Sequence, residues 1–169
     1  MEQKTKNLVL ALSVVVFMAF LVWLVAVSPE GAETSAEYTQ SSLSGSGQHF
    51  DFGTIDMRDG EVSHEFEIEN KESEAVVINK IYTTCMCTEA YIVDASGEEH
   101  GPFGMPGHGG RLTTDVRVNP GEKAIVRTVF DPAAHGPSGV GLAQRSIYLE
   151  TNSSHSPKME VSFSAMVTR

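Results

Sequence analysis

Cysteine, basic residues and catalytic signatures are all scarce in this chain. Only two cysteines occur among its 169 residues, too few for a disulfide-stapled scaffold, so a folded domain must be held by an apolar core. Lys and Arg number 12 against 22 Asp and Glu, for a formal net charge of −10. Glu2, Lys4 and Lys6 make residues 1–27 net +1, which leaves −11 on residues 28–169. Phosphate binding needs clustered Lys and Arg, so nucleic acid is excluded as a partner. Lying on an anionic lipid surface is excluded for the same reason. No Cys-x-x-Cys, His-Glu-x-x-His or Gly-x-Ser-x-Gly occurs, and no spacing points to a triad or a catalytic carboxylate pair. The glycines from Gly136 to Gly141 lack the Gly-Lys-Ser/Thr ending of a phosphate loop and read as an inter-strand loop. No residue is assigned a catalytic role, and the chain is expected to be non-enzymatic.

Charge is also missing from one long stretch. Residues 8–27, LVLALSVVVFMAFLVWLVAV, hold Ser13 as their one polar residue. An apolar helix of that length spans roughly 30 Å, about the hydrocarbon thickness of a bilayer. Lys4 and Lys6 place residues 1–7 in the cytoplasm by the positive-inside rule, and Trp23 suits the far interface. The run exceeds the apolar region of a cleavable signal peptide, and only Ala32 and Thr34-Ser35-Ala36 approximate a cleavage site, so an uncleaved anchor is expected. No cysteine ends the run, which excludes lipoprotein attachment. Residues 28–47, rich in Ser, Gly, Glu and Thr, read as a flexible linker with a reach of roughly 25 Å. Residues 48–169 are then expected outside the membrane, on its periplasmic or cell-surface side.

From Gln48 onward the pattern becomes period two. Val62, His64, Phe66 and Ile68 alternate with Ser63 and glutamates, as in a half-buried antiparallel strand. The β-branched run Val76–Ile78, continuing to Ile81-Tyr82, reads as a more central strand. Further strands are expected at Leu112–Val118, Ala124–Phe130, Ser146–Glu150 and Met159–Val167. Asn119-Pro120-Gly121 and Asp131-Pro132 mark breaks. About seven short strands with Gly, Pro and Asn turns imply an all-β domain, an immunoglobulin-like antiparallel β-sandwich, preceded by one N-terminal transmembrane helix. The two cysteines lie one residue apart and cannot form an inter-sheet disulfide.

The chain resembles a bacterial family catalogued as domain of unknown function 1573. The matching residues are Phe50–Ile55, the strand Val62–Asn70, Val76–Ile78, Cys85-Met86-Cys87-Thr88, Asn119–Glu122, Phe130–Pro132 and Leu149–Asn152. Cys-x-Cys-Thr is the most specific of them. The resemblance implies an immunoglobulin-type sandwich, exported and often membrane-tethered, and no settled activity. Met86 stands where the family usually has glycine, and His100–Gly110 looks like an elaborated loop.

On a strand, Cys85 and Cys87 would share one face at about 6.5–7 Å between Cα atoms, at or beyond the usual disulfide limit. They read either as packed structural thiols or a strained disulfide, or as ligands for a soft metal ion. A tight turn at Asp94–Gly97, with Asp94 facing Gly97, would put Met105 opposite Met86, Gly104 opposite Cys87 and His108 near Thr83. The resulting metal set is Cys85, Cys87, Met86, Met105 and His108, with His100 as a further ligand. Thiolate, thioether and imidazole together favour Cu(I); zinc, content with Cys and His, is the second choice. Three functional expectations follow. The first is a membrane-anchored module binding another envelope protein through edge strands or loops. The second is Cu(I) handling. The third is thiol redox chemistry, which acidic surroundings would disfavour by raising thiol pKa values.

Overall fold

Period-two alternation becomes strand wherever the sequence carries it. The computed structural model describes Gln3, Phe17, Met18, Phe20, residues 38–45 and residues 47–169. Ten strands are β1 (Ser44–Gly45), β2 (His49–Asp56), β3 (Val62–Glu69), β4 (Val76–Thr83) and β5 (Thr88–Val93), then β6 (Glu99–Phe103), β7 (Thr113–Val118), β8 (Lys123–Phe130), β9 (Gly141–Thr151) and β10 (Lys158–Thr168). They form two five-stranded sheets, ordered β1-β3-β8-β5-β6 and β2-β10-β9-β4-β7. Neighbours are antiparallel except β2, which runs parallel to β10. The inward rows of both sheets make an aliphatic and phenylalanine core that includes Phe66, Ile81, Val126, Ile147, Leu149 and Phe163. This is a β-sandwich.

Several expectations change in detail. There are ten strands among the described residues, not about seven. β9 spans eleven residues, because Gly141–Arg145 pair with Val167–Phe163 although they lack an apolar alternation. The sandwich also draws on residues 38–45 of the expected linker: Thr39, Ser41 and Leu43 are buried. The Thr39 hydroxyl donates to the Glu74 carboxylate, and Thr39 N–H donates to the Asn152 carbonyl at 3.1 Å. The expected cytoplasmic segment 1–7 and helix 8–27 lie outside the described residues, four positions aside. Among the described residues no helix is long and apolar enough to cross a membrane.

The β5–β6 hairpin differs in register. Val93 faces Glu99 and Ile92 faces His100, so Asp94 does not face Gly97. The reason is the Asp94 carboxylate, whose Oδ1 accepts from the N–H groups of Ser96 and Glu98 at 2.8 and 3.1 Å. Such side-chain-to-backbone bonding stabilises a wider loop than a two-residue turn. A second slip follows, leaving Ala90 opposite Phe103. Gly101 sits beside it at φ +141°, where a Cβ would lie 3.0 Å from the Ala90 carbonyl oxygen.

Asn70 is fully buried and closes the end of the first sheet. Its Nδ2 donates to the carbonyls of Glu74 and Val118 at 2.7 and 2.9 Å, and its Oδ1 accepts from Glu72 N–H. Its backbone exchanges bonds with Gly121 and Glu122. The Asn119-Pro120-Gly121 turn is therefore clasped to the β3–β4 loop. Asn70→Ala strands the buried Val118 carbonyl and frees the part-buried Glu74 carbonyl, and is expected to cost about 2 kcal/mol, read by denaturant unfolding. A loss below about 0.5 kcal/mol would show that water replaces the amide.

A candidate thiolate and imidazole site

The Cys-Met-Cys segment lies on the crossing from β4 in one sheet to β5 in the other, not on a strand. Thr88 N–H donates to the Cys85 carbonyl at 3.1 Å, which closes a tight turn over residues 85–88. The buried Thr83 hydroxyl lies 3.0 Å from both the Cys85 and Thr88 carbonyl oxygens and braces that turn from below. Turn geometry, rather than strand periodicity, brings the two sulfurs together. Cys87 is buried at 3% exposure, Cys85 is half-buried, and Met86 between them is turned outward at 55%.

Two more elements complete the site. β8 pairs with β5, so the chain leaving β8 passes the cysteines, and Asp131 N–H donates to the Cys87 carbonyl at 2.9 Å. The Asp131 carboxylate then accepts from Ala133 N–H at 2.8 Å, folding the loop back. That places His135 Nε2 3.1 Å from Cys85 Sγ. From β9, Arg145 Nε donates to Cys87 Sγ at 3.1 Å. Thr84 and Ser146 lock β9 to the turn, Thr84 N–H to the Ser146 carbonyl and Ser146 N–H to the Thr84 hydroxyl, both at 3.1 Å. The two sulfurs and a His135 ring nitrogen all lie within 4.8 Å of one another.

The surroundings split the two thiols. Burial pushes Cys85 up, but hydrogen bonds from Cys87, from His135 and from the Cys87 N–H, with the charge of Arg145, outweigh it and hold Cys85 down at about 7. Burial, and then the bond to Cys85, push Cys87 above its ordinary value, only partly offset by Arg145 and Thr88. The expectation that acidic surroundings raise both thiols fails for Cys85, because the nearby donors are His135 and Arg145.

Of the other residues in the expected metal set, Met86, Met105 and His108 share a neighbouring pocket and His100 sits in the β5–β6 hairpin. The loop after β6 does return to the Cys-Met-Cys segment, anchored by Thr83 N–H to the Gly104 carbonyl at 3.1 Å. There Met86, Met105 and His108 line an open pocket of about 200 Å³ with Thr88, Glu89 and Pro102. Neither cysteine is in that lining. His100 lies in the β5–β6 hairpin, where its Nε2 meets Asp94 Oδ2 at 2.9 Å. His135 and Arg145 were not singled out by motif or spacing. The signal that points to them is topological: once β8 is placed beside β5, the loop after Asp131-Pro132 must run past Cys87.

Residues 43–99 match a family model described as a protein of unknown function, DUF1573. The match includes both cysteines and ends before His135 and Arg145. No curated protein matches the chain. Among solved structures, the chain is similar to a protein of unknown function from Porphyromonas gingivalis at 18% identity, with 82% of this chain and 51% of that one covered and a TM-score of 0.53. The chain thus spans about half the length of that structure, and the likeness is one of fold. The VesB protease of Vibrio cholerae aligns at 16% identity over 78% of this chain and 32% of its own, with a TM-score of 0.45. A PapD-like domain of human CEP192 aligns at 15% over 78% and 87%, with a TM-score of 0.42.

Proposed function

We propose, for a chain whose residues 43–99 match the DUF1573 family model, that the sandwich is a non-enzymatic binding module whose ligand is a soft metal ion held by Cys85, Cys87 and His135. The module would stand outside a membrane, tethered by residues 8–27. The observation that carries this is the placement of two sulfurs and an imidazole nitrogen within 4.8 Å of one another. Three ligands around one ion at 2.0–2.3 Å lie about 3.5–4.0 Å apart, so atoms already within 4.8 Å of one another need adjust by no more than about an ångström. Thiolate and imidazole donors select soft or borderline transition metals over magnesium or calcium. A Cys85 thiol held down at about 7 gives up its proton readily to an incoming ion. The acidic exterior raises the local concentration of cations.

A second reading, thiol redox exchange, is favoured by that same lowered thiol with a neighbour one residue away. It requires Cys85 to attack a partner's disulfide and Cys87 to resolve the mixed disulfide, leaving a Cys85–Cys87 bridge and a reduced partner. The two readings separate in one experiment. Reduced full-length protein in detergent, kept anaerobic, is titrated with Cu(I) and with Zn(II) against competing chelators, beside a Cys85→Ser/Cys87→Ser double variant. One equivalent of metal lost in the double variant is expected. Equal binding by both proteins sinks the metal reading, and a mixed disulfide trapped by Cys87→Ser would support exchange instead.

A further inference from the structure

Met86 is turned outward and Met105 lines the neighbouring pocket, whereas Arg145 contacts Cys87 Sγ directly and is the informative residue for the identity of the metal. We propose that Arg145 sets the charge the site accepts, making Cys85, Cys87 and His135 selective for a monovalent soft ion, Cu(I), over Zn(II). The inference rests on the metal-binding reading above and names the ion class for the same site.

The argument is one of charge and coordination. Two thiolates and a neutral imidazole carry −2. A monovalent ion leaves −1 on the cluster, which the guanidinium of Arg145 cancels across a 3.1 Å contact to Cys87 Sγ. A divalent ion leaves the cluster neutral, and the guanidinium then has no counter-charge. Its remaining partners are the Gln144 carbonyl at 2.8 Å and the face of Phe130 at 5.9 Å. No carboxylate lies within ion-pair distance of it among the described residues. Arg145 cannot relieve the imbalance by losing its proton, since guanidinium stays charged in proteins. The paired Thr84–Ser146 bonds pin β9 beside the cysteine turn and keep the Arg145 backbone next to the sulfurs. A sulfur can keep its hydrogen bond from Arg145 while it ligates a metal, as outer-shell donors to metal-bound ligands do. The donor count points the same way. Zinc takes four ligands in structural sites, whereas the cysteine, histidine and carboxylate donors that gather here among the described residues are three.

The test compares Cu(I) and Zn(II) affinities of the reduced full-length protein with those of Arg145→Met, which keeps an unbranched apolar stem against Phe130, and Arg145→Lys, which keeps the charge. At partly buried distances near 4 Å a unit charge is worth about tenfold or more in affinity. The two loaded clusters differ by one unit charge, so Arg145→Met is expected to lower the Cu(I)-to-Zn(II) affinity ratio by about tenfold or more. Arg145→Lys is expected to hold the ratio within a few-fold of the original. A purely structural role would weaken both metals together. An unchanged ratio in Arg145→Met, or a collapsed ratio in Arg145→Lys, overturns the inference. Should the Met variant fail to fold, the Lys variant still decides. Failure of the parent reading looks different: the original protein then binds neither metal better than the double-serine variant does.

Discussion

Phe163→Ala is expected to lower unfolding free energy by about 4 kcal/mol, the largest stability loss from any single truncation discussed above. Phe163 is fully buried on β10, an interior strand of the second sheet. Its ring lies 5.2 Å from that of Phe130, which comes from β8 in the other sheet, and 5.4 Å from that of Phe52 on β2. The aromatic contacts continue outward, Phe52 to Phe50 at 4.9 Å and Phe50 stacked on His64 at 3.6 Å. One side chain thus joins the two sheets and supports the parallel β2 strand. Without inter-sheet disulfides, such contacts are what hold the layers face to face. The cost combines lost transfer energy with a cavity that flanking β-strands cannot close, and lost ring-pair geometry adds about 1 kcal/mol per pair. Guanidinium unfolding followed by circular dichroism measures it, with an unchanged slope confirming that the native surface is intact. A loss under 1 kcal/mol would mean that the sheets slide together over the gap. Phe130 also underlies Arg145, so this variant should loosen the cysteine site as well.

How much of this was legible in the sequence depends on what each strand had to bury. β3, β8 and β10 carry unbroken alternation over eight or more residues and are read correctly to within a residue or two. β9 is half missed because Gly141, Gln144 and Arg145 contribute pairing and solvent contacts rather than apolar burial. The parallel pairing of β2 with β10 leaves no local trace, since the partners are more than 100 residues apart. The alternation of β3 puts His64 on the inward row with Val62, Phe66 and Ile68. His64 is half-buried among stacked rings, and burial lowers its pKa. At the site, the two cysteines were evident from their spacing, but their geometry was not. The reading as a strand put them on one face, whereas the Thr83 hydroxyl folds them into a turn. His135 was invisible to spacing because 50 residues separate it from Cys85. The expected turn register failed on one carboxylate, Asp94, whose bonds to the loop backbone outweigh the preference for a short hairpin.

Alkylation of the metal-free, reduced protein at pH 7 is expected to strike Cys85 at least about fiftyfold faster than Cys87. Only thiolates react appreciably. A thiol held at about 7 is half ionised at that pH, while one raised above its ordinary value of 9.0 is ionised to less than about 1%. Burial of Cys87 widens the gap further. The sign with pH follows directly. Cys85 labelling should fall as pH drops through about 7 and level off above it, whereas Cys87 labelling should still be climbing at pH 9. His135→Ala removes one donor to the Cys85 sulfur and should carry the Cys85 midpoint upward. A shift of about one unit would cut its rate at pH 7 roughly fivefold. Trypsin leaves both cysteines on the one peptide Ile81–Arg111, so fragment-ion mass spectrometry of iodoacetamide adducts at timed intervals distinguishes the two sites. Equal rates at the two thiols, or a Cys85 midpoint near 9, would remove the basis for assigning His135 and Arg145 to the thiolate. A midpoint near 7 that persists in His135→Ala would leave Arg145 and the turn N–H as the stabilising groups. Prior addition of one equivalent of Cu(I) should then abolish labelling at both positions, which ties the thiolate chemistry to the ion the site is proposed to hold.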